Sequence, residues 1–355
     1  MNYIEFTETV CDKVRELYQN EDCTVEVQHT LKNNAVSLCA LVIRYTGEEA
    51  APAIYLEQYY DMYKDGTSVE DIVKDIVEEF KEAMEGYDII LPDLTDFDSV
   101  KDSIVCRLIN TESNSKMLED VPHKEFLDLS IVFYGVVKDT EGSMGSFIIS
   151  NNLAKLWGAD AESLYCIAIN NTYRMYPVCI SNMCDILMEY IQMDPDALPD
   201  SESDLMDKES LSMYVLTNSV RTYGAIGMMC KEALRAFAEK FGSCYILPSS
   251  VHEVILIPAS GCDRHMAGDF EGIVQDVNTR GVPPQDVLSW GPYYYDKESD
   301  EISKLNNIML NELDKELQKR NHKYVRYADD AVVFCKSLKS AERTYEKIVP
   351  YIEGK

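Results

Sequence analysis

Two adjacent carboxylates, Asp329 and Asp330, stand at the tip of what reads as a tight hairpin, KYVRYADDAVVF, late in a chain of 355 residues. Oxygen-rich carboxylate ligands suit magnesium. A pair of such ions can stabilise both the attacking and the leaving oxygen of an in-line phosphoryl transfer. Aspartate also favours hairpin tips for turn chemistry alone, so the pair needs its flanks before it means anything. Val325, Val332, Val333 and Phe334 are the residues expected to anchor the sides of the hairpin in a core.

Other residues offer weaker chemistry. Ser249, Ser250, His252 and Glu253 fall at a turn between two apolar runs, YILP and VILIP. A Ser–His nucleophile pair would make a hydrolase, but no GxSxG elbow accompanies it. Alternation along the second run puts His252 and Glu253 on opposite faces, and a structural turn is the favoured reading. Cys262 and His265, three apart, could share a metal site with His252, although zinc sites usually show two such pairs. Cys179, Cys184, Met183 and Met188 read as the core stripe of one helix. Tyr59, Tyr60 and Tyr63, and the run Tyr293–Tyr294–Tyr295, read as packing, because Lys and Arg do not interleave them as in a base-stacking platform.

The elements that would carry these residues follow from periodicity. Residues 2–20 place Tyr3, Phe6, Val10, Val14 and Leu17 on one helical face. Strands are expected over 24–30 and 35–45 around Lys32–Asn33–Asn34, then a helix over 69–84 with Val69, Ile72, Ile76 and Phe80 inward. A further helix is expected over 99–119, a strongly apolar strand over 127–137 hairpinned to 146–150, and helices over 151–158 and 160–172. Residues 195–210 (PDALPDSESDLMDKES) read as an acidic linker. Beyond it come a strand at 213–217, a helix at 230–241, two strands at 245–248 and 251–258, and a helix at 263–278. The fold class is therefore α+β, mainly antiparallel sheets with flanking helices, ending in a helix–hairpin–helix.

Net charge is −29. From Glu301 onward there are eleven of the 33 Lys and Arg but only nine of the 62 Asp and Glu, which leaves 22 against 53 before it. A near-neutral tail thus follows a strongly acidic body, which sets a boundary at 299/300, with subdivision of the body possible near 86–98 and 195–210. Such a body repels phosphate backbones, so a protein or small molecule is its expected partner. Eleven cysteines without a CxxC pair suit a reducing cytosol. No leader pattern or membrane-length apolar run appears. A cytoplasmic location and no membrane contact are the expectation.

The tail also carries a resemblance. NNIMLNELDKEL, KYVRYADDAVVF and KSLKSAERTYEKI are similar to the palm of group II intron reverse transcriptases, and Tyr327–Ala328–Asp329–Asp330 stands where that family has its Tyr-Ala-Asp-Asp box. The resemblance implies Asp329 as the main Mg2+ ligand, Asp330 as its neighbour, Tyr327 near the nucleotide and primer end, and RNA and DNA as partners. It also requires a further metal-binding aspartate upstream, a basic fingers region and a Pro-Gln-Gly segment before NNIML. None is present: Gly281–Val282–Pro283–Pro284–Gln285–Asp286 has Asp after Gln, and the surroundings of Asp263 and Asp269 do not match. With the chain ending at Lys355, the expectation is a truncated palm, a mobile-element remnant that does not polymerise alone. RNA-directed DNA polymerase activity with a partner is the alternative. Residues 1–299 resemble an uncharacterised bacterial family with no assigned activity, through LKNNAVSLCALVIR, VPHKEFLDLSIVFY and YILPSSVHEVILIP, so a non-catalytic binding or accessory role is expected there. The second alternative is a hydrolase built on His252.

Overall fold

A computed structural model of the chain describes residues 1–47, 51–84, 92–138, 144–193, 212–262 and 264–305, and beyond them 317, 319–320, 322–327, 330–335 and 337–353. It divides into two compact units, Met1–Val105 with Glu112–Pro122 and Phe133–Ala168, and Cys106–Thr111 with His123–Val132 and Ile169–Lys355. The α+β class holds, with antiparallel strand pairing and flanking helices. The acidic stretch 195–210 and residues 86–91 of the subdivision point at 86–98 lie outside the described residues.

The first unit begins with the helix Tyr3–Leu17, whose start is fixed by a capping box. The Asn2 side chain accepts from the Glu5 amide at 2.9 Å and the Glu5 carboxylate accepts from the Asn2 amide at 3.1 Å, which satisfies two otherwise orphaned donors. Strands β1 (Cys23–Leu31) and β2 (Ser37–Tyr45) pair antiparallel from Cys23↔Tyr45 to Leu31↔Ser37, and β3 (Ala53–Tyr55) adds to β2. Phe6, Val10 and Val14 meet Leu41 and Ile43 of β2 and Ile72, Ile76 and Phe80 of the helix Val69–Met84 in one buried cluster. The expected inward faces of both helices are thus the ones buried, except at Leu17, which is 60% exposed. Tyr60 and Tyr63 lie against Phe6, with ring centroids 5.2 and 5.4 Å away, as packing residues.

A second sheet has the order β4–β6–β5, with β7 also on β6. Its strands are β4 (Ile104–Asn110), β5 (His123–Phe126), β6 (Leu129–Lys138) and β7 (Met144–Ile148). Here the helix expected over 99–119 is overturned. Only Phe97–Val100 and Ser115–Leu118 are α-helical, and Ile104–Asn110 between them is β4. Ile104, Val105, Cys106, Leu108, Ile109 and Asn110 are all buried. A run apolar on both faces has no period to read, and its β-branched residues favour the strand.

The second unit is built on a six-stranded sheet in the order β13–β12–β10–β11–β9–β8. These are β8 (Val178–Asn182), β9 (Tyr214–Asn218), β10 (Cys244–Ser250), β11 (Glu253–Pro258), β12 (Tyr293–Asp296) and β13 (Glu301–Lys304), and every pair is antiparallel. Leu247 and Ile257 pack with Phe270 and Val274 of the helix Arg264–Arg280 and with Leu305. Tyr293 and Tyr295 are buried and Tyr294 lies 5.2 Å from the Tyr245 ring, so this tyrosine run also packs. The β12–β13 tip is tied down at Asp300, which takes a two-pronged contact from Arg235 at 3.0 and 2.6 Å and the Tyr295 hydroxyl at 2.7 Å.

The expected stripe of Cys179, Cys184, Met183 and Met188 is also corrected. Cys179 belongs to β8, while the others lie on the helix Met183–Met193, where Cys184 is exposed and Met188 is 49% exposed. The change from strand to helix between Asn182 and Met183 breaks the stripe, and Cys184 and Met188 on the helix face outward. The last elements are the hairpin β14 (Lys323–Tyr327) and β15 (Asp330–Phe334), and the helix Leu338–Glu353.

Candidate functional site

The β14–β15 register runs from Lys323↔Phe334 to Tyr327↔Asp330. Asp329 itself, and the side chains of Val325, Tyr327 and Asp330, lie outside the described residues. The expected anchoring of this hairpin is overturned at two positions. Val332 and Phe334 are each 57% exposed, whereas Val333 and Cys335 on the alternate face are half-buried. Strand side chains alternate, and a two-stranded hairpin can give only one face to the helix Leu338–Glu353, where Cys335 Sγ lies 3.7 Å from Thr344 Oγ1.

His252 occupies the β10–β11 tip, where Ser250 pairs with Glu253 and Val251–His252 make the turn. Neither neighbouring serine reaches the imidazole. Ser249 Oγ donates to Glu253 at 3.5 Å, and Ser250 Oγ accepts the backbone N–H of His252 at 3.0 Å. Nδ1 of His252 accepts the Tyr223 backbone N–H at 3.1 Å, and Nε2 lies 3.5 Å from Asp286 Oδ1. With Nδ1 an acceptor, the neutral ring carries its proton on Nε2, facing the carboxylate. The Tyr223 ring lies 5.3 Å from the imidazole, and the Arg107 guanidinium stands 3.7 Å over that same ring.

The loop entering this cluster is conformationally demanding. Arg221 and Tyr223 have φ of 54° and 52°, a left-handed conformation that side-chain-bearing residues adopt when surroundings hold them. Asn218 supplies part of the hold: its Oδ1 accepts from Val220 and Thr222 amides at 3.1 and 3.3 Å, and its Nδ2 donates to Thr222 O at 2.8 Å. Gly224 then passes so close that a Cβ would lie 2.3 Å from Thr217 Oγ1 and 2.7 Å from His252 O. This loop gave no sequence signal beyond Asn218 and Gly224.

A second network was likewise missed. The β5–β6 tip is Leu127–Asp128, with Leu127 at φ 58° and its neighbours Phe126 and Leu129 paired. Asp128 Oδ2 accepts the Ser289 hydroxyl at 2.8 Å and lies 3.3 Å from Lys304 Nζ, while Oδ1 accepts the buried Tyr293 hydroxyl at 2.9 Å. Burial and the facing carboxylate push the Tyr293 hydroxyl well above the ordinary tyrosine range. Ser289 is itself fully buried and takes the Gly291 amide on its oxygen, so the arrangement is an anchor rather than an accessible nucleophile.

For metal chemistry, no group of three His, Cys, Asp or Glu comes together among the described residues. Cys262 Sγ donates to Pro258 O at 3.6 Å, and the side chain of His265 lies outside them. Burial pushes the Cys106 and Cys244 thiols up to about 12, so they act as small apolar side chains. Cys166 and Cys184 are exposed, and Cys335, expected in an apolar setting, is half-buried. Among the described residues no helix is long and apolar enough to cross a membrane.

A family model, described as a family of unknown function (DUF5688), matches residues 3–297. No curated protein matches the chain, and no solved structure does. The match spans the acidic body and leaves the tail outside it.

Proposed function

As a chain that belongs to the DUF5688 family, of unknown function, this protein is one whose body we propose to be a cytoplasmic, non-catalytic binding or accessory module. The observation that carries this reading is the closure of its best chemical cluster. Both His252 nitrogens already have partners, and neither Ser249 nor Ser250 is one of them. A general base needs a free nitrogen within hydrogen-bond reach of the proton it removes. A serine-reactive fluorophosphonate probe tests it: the chain stays unlabelled. Labelling of Ser249 or Ser250 that His252→Ala abolishes would establish the hydrolase reading instead.

Residues 300–355 are proposed to be a reverse-transcriptase palm remnant without polymerase activity of its own. Support for the palm reading is the antiparallel pairing of Tyr327 with Asp330, the two ends of the box, in a hairpin followed by a helix. Mg2+ would be held there by Asp329 and Asp330. By its sequence the box supplies two carboxylates, whereas such ions demand several oxygen ligands each, so it does not make a two-ion site by itself. Primer extension with Mg2+, comparing the chain with Asp329→Ala, is expected to give no product from either. Product from the unaltered chain alone, lost in the variant, would establish polymerase activity.

A further inference from the structure

The contacts around His252 divide into those that depend on its charge and those that do not. The His252 carbonyl accepts the Gly224 amide at 2.9 Å and the Thr217 hydroxyl at 2.8 Å, and the Val251 carbonyl accepts the Ala225 amide at 3.3 Å. These bonds hold the end of the loop whatever the protonation state. The bond one residue earlier, Tyr223 N–H to Nδ1 at 3.1 Å, exists only while Nδ1 keeps its lone pair. Tyr223 is also one of the two residues held in the left-handed conformation.

We infer that His252 is a proton-operated latch on the loop 219–223. In the neutral ring, Nδ1 accepts from Tyr223 and the Nε2–H faces Asp286. A proton added to Nδ1 sets two N–H donors against each other, which is repulsive, and leaves Tyr223 without its acceptor. The same proton makes the ring cationic, which strengthens its attraction to Asp286 3.5 Å away. Protonation therefore exchanges a bond that holds the loop for an ion pair that holds the hairpin tip to the turn Pro284–Asp286. The loop, whose Val220 is exposed at 45% and whose Arg221 and Thr222 are exposed, is then released at Tyr223, while Asn218 keeps its bonds to Val220 and Thr222, and is reclosed on deprotonation.

The charged groups facing His252 set the balance. Asp286 favours the imidazolium. Arg107, on β4 and stacked 3.7 Å over the Tyr223 ring, opposes it and keeps the Tyr223 side chain in place. On the hairpin itself Glu253 is engaged by Ser249 at 3.5 Å, and at the loop Arg221 is 3.4 Å from Glu189.

Amide hydrogen exchange on the whole chain, corrected for the intrinsic effect of pH, reads the latch directly. Protection at Tyr223 is expected to fall about tenfold from about pH 8 to about pH 5, while Gly224 and Ala225 hold theirs. His252→Asn puts a non-titrating acceptor near the Nδ1 position, and its Tyr223 protection is expected to become independent of pH. Asp286→Asn removes the carboxylate that favours the cation, and the midpoint is expected to move to lower pH. In the unaltered chain at the higher pH, the ring 15N shifts are expected to report the Nε2–H tautomer, a reading that stands even where His252→Asn does not fold. Equal Tyr223 protection at both pH values, a drop that survives in His252→Asn, an unmoved midpoint in Asp286→Asn, or an Nδ1–H tautomer would each overturn the latch.

Discussion

Asp128 and Tyr293, 165 positions apart in sequence, are joined by a 2.9 Å hydrogen bond from the tyrosine hydroxyl to Oδ1. The bond ties the tip of one hairpin to the first residue of β12. Leu127 gives it direction, since its left-handed backbone turns the chain tightly enough for the next residue to reach both Ser289 and Tyr293.

Asp128→Ala is therefore expected to be among the costly single changes in the second unit. It leaves the buried Tyr293 hydroxyl without its acceptor and the buried Ser289 hydroxyl with only the Gly291 carbonyl at 3.4 Å. Stranding buried donors that had bonded a charged group costs about 2–4 kcal/mol. Asp128→Asn keeps an oxygen for one of the two and should lose less. Lys304, at 37% side-chain exposure and 3.3 Å, adds little by comparison. Urea denaturation of the two variants checks the order, and equal stability of Asp128→Ala and the unaltered chain would mean that the network carries no load.

Alkaline pH should weaken the fold through the same tyrosine and its neighbours. Burial, and then the Asp128 charge, raises Tyr293; burial, and then the bond to Asp300, pushes Tyr295 up to about 12. Burial pushes the thiols of Cys106 and Cys244 to about 12. Each folded-state value lies above its unfolded one, so the contribution is complete below the unfolded values, about 8.5 for a thiol and about 10 for a phenol. It is lost as pH rises toward 12, because the unfolded chain releases protons that the folded chain retains. The melting temperature is expected to decline across that window, and a melting temperature that stays flat to its upper end would show that these groups ionise freely when folded.

How much of this was legible in the sequence depended on the range of the interaction. The helix Val69–Met84 announced its buried face through Val69, Ile72, Ile76 and Phe80, because a helix writes its packing into a 3.6-residue period. The β10–β11 hairpin showed itself through two apolar runs parted by Pro248, Ser249 and Ser250. The strand Ile104–Asn110 did not, since a segment buried on both faces has no alternation. Asp128 was invisible as a site because its partners, Ser289, Tyr293 and Lys304, are more than 160 positions away and no local pattern links them. His252 was noticed for the serines beside it, yet its bonds go to Tyr223 and Asp286, which lie on other elements.

Gly224 is a place where one methyl group should matter. A Cβ there would sit 2.3 Å from Thr217 Oγ1, 2.6 Å from the Asn218 amide nitrogen and 2.7 Å from the His252 carbonyl. Two of those three are backbone atoms, one in β9 and one in the β10–β11 turn, and cannot swing away, so Gly224→Ala should cost about 3 kcal/mol. At Gly227 the closest atoms are side-chain carbons, Leu216 Cδ2 at 2.7 Å and Val178 Cγ1 at 3.2 Å. These can shift rotamer, and Gly227→Ala should cost about 1 kcal/mol. Thermal melts of the two variants side by side test the ranking.

Where the acidic body can be cut is set by β13 rather than by the change in charge. Composition steps at 299/300 and the family match ends at 297, but Glu301–Lys304 still pairs along β12 from Asp296↔Glu301 to Tyr293↔Lys304. Leu305, only 5% exposed, packs on Leu247, Ile257, Phe270 and Val274. A chain ending at residue 299 loses that strand, the Leu305 contact and Asp300, on which Arg235 and Tyr295 converge. Loss of the leucine alone is worth about 2–3 kcal/mol. A chain ending at residue 305 keeps all three. The shorter chain is therefore expected to melt well below the longer one, with the longer melting cooperatively as a body that needs nothing from the residues after it. Indistinguishable melts for the two would place the boundary before β13 and make that strand part of the tail.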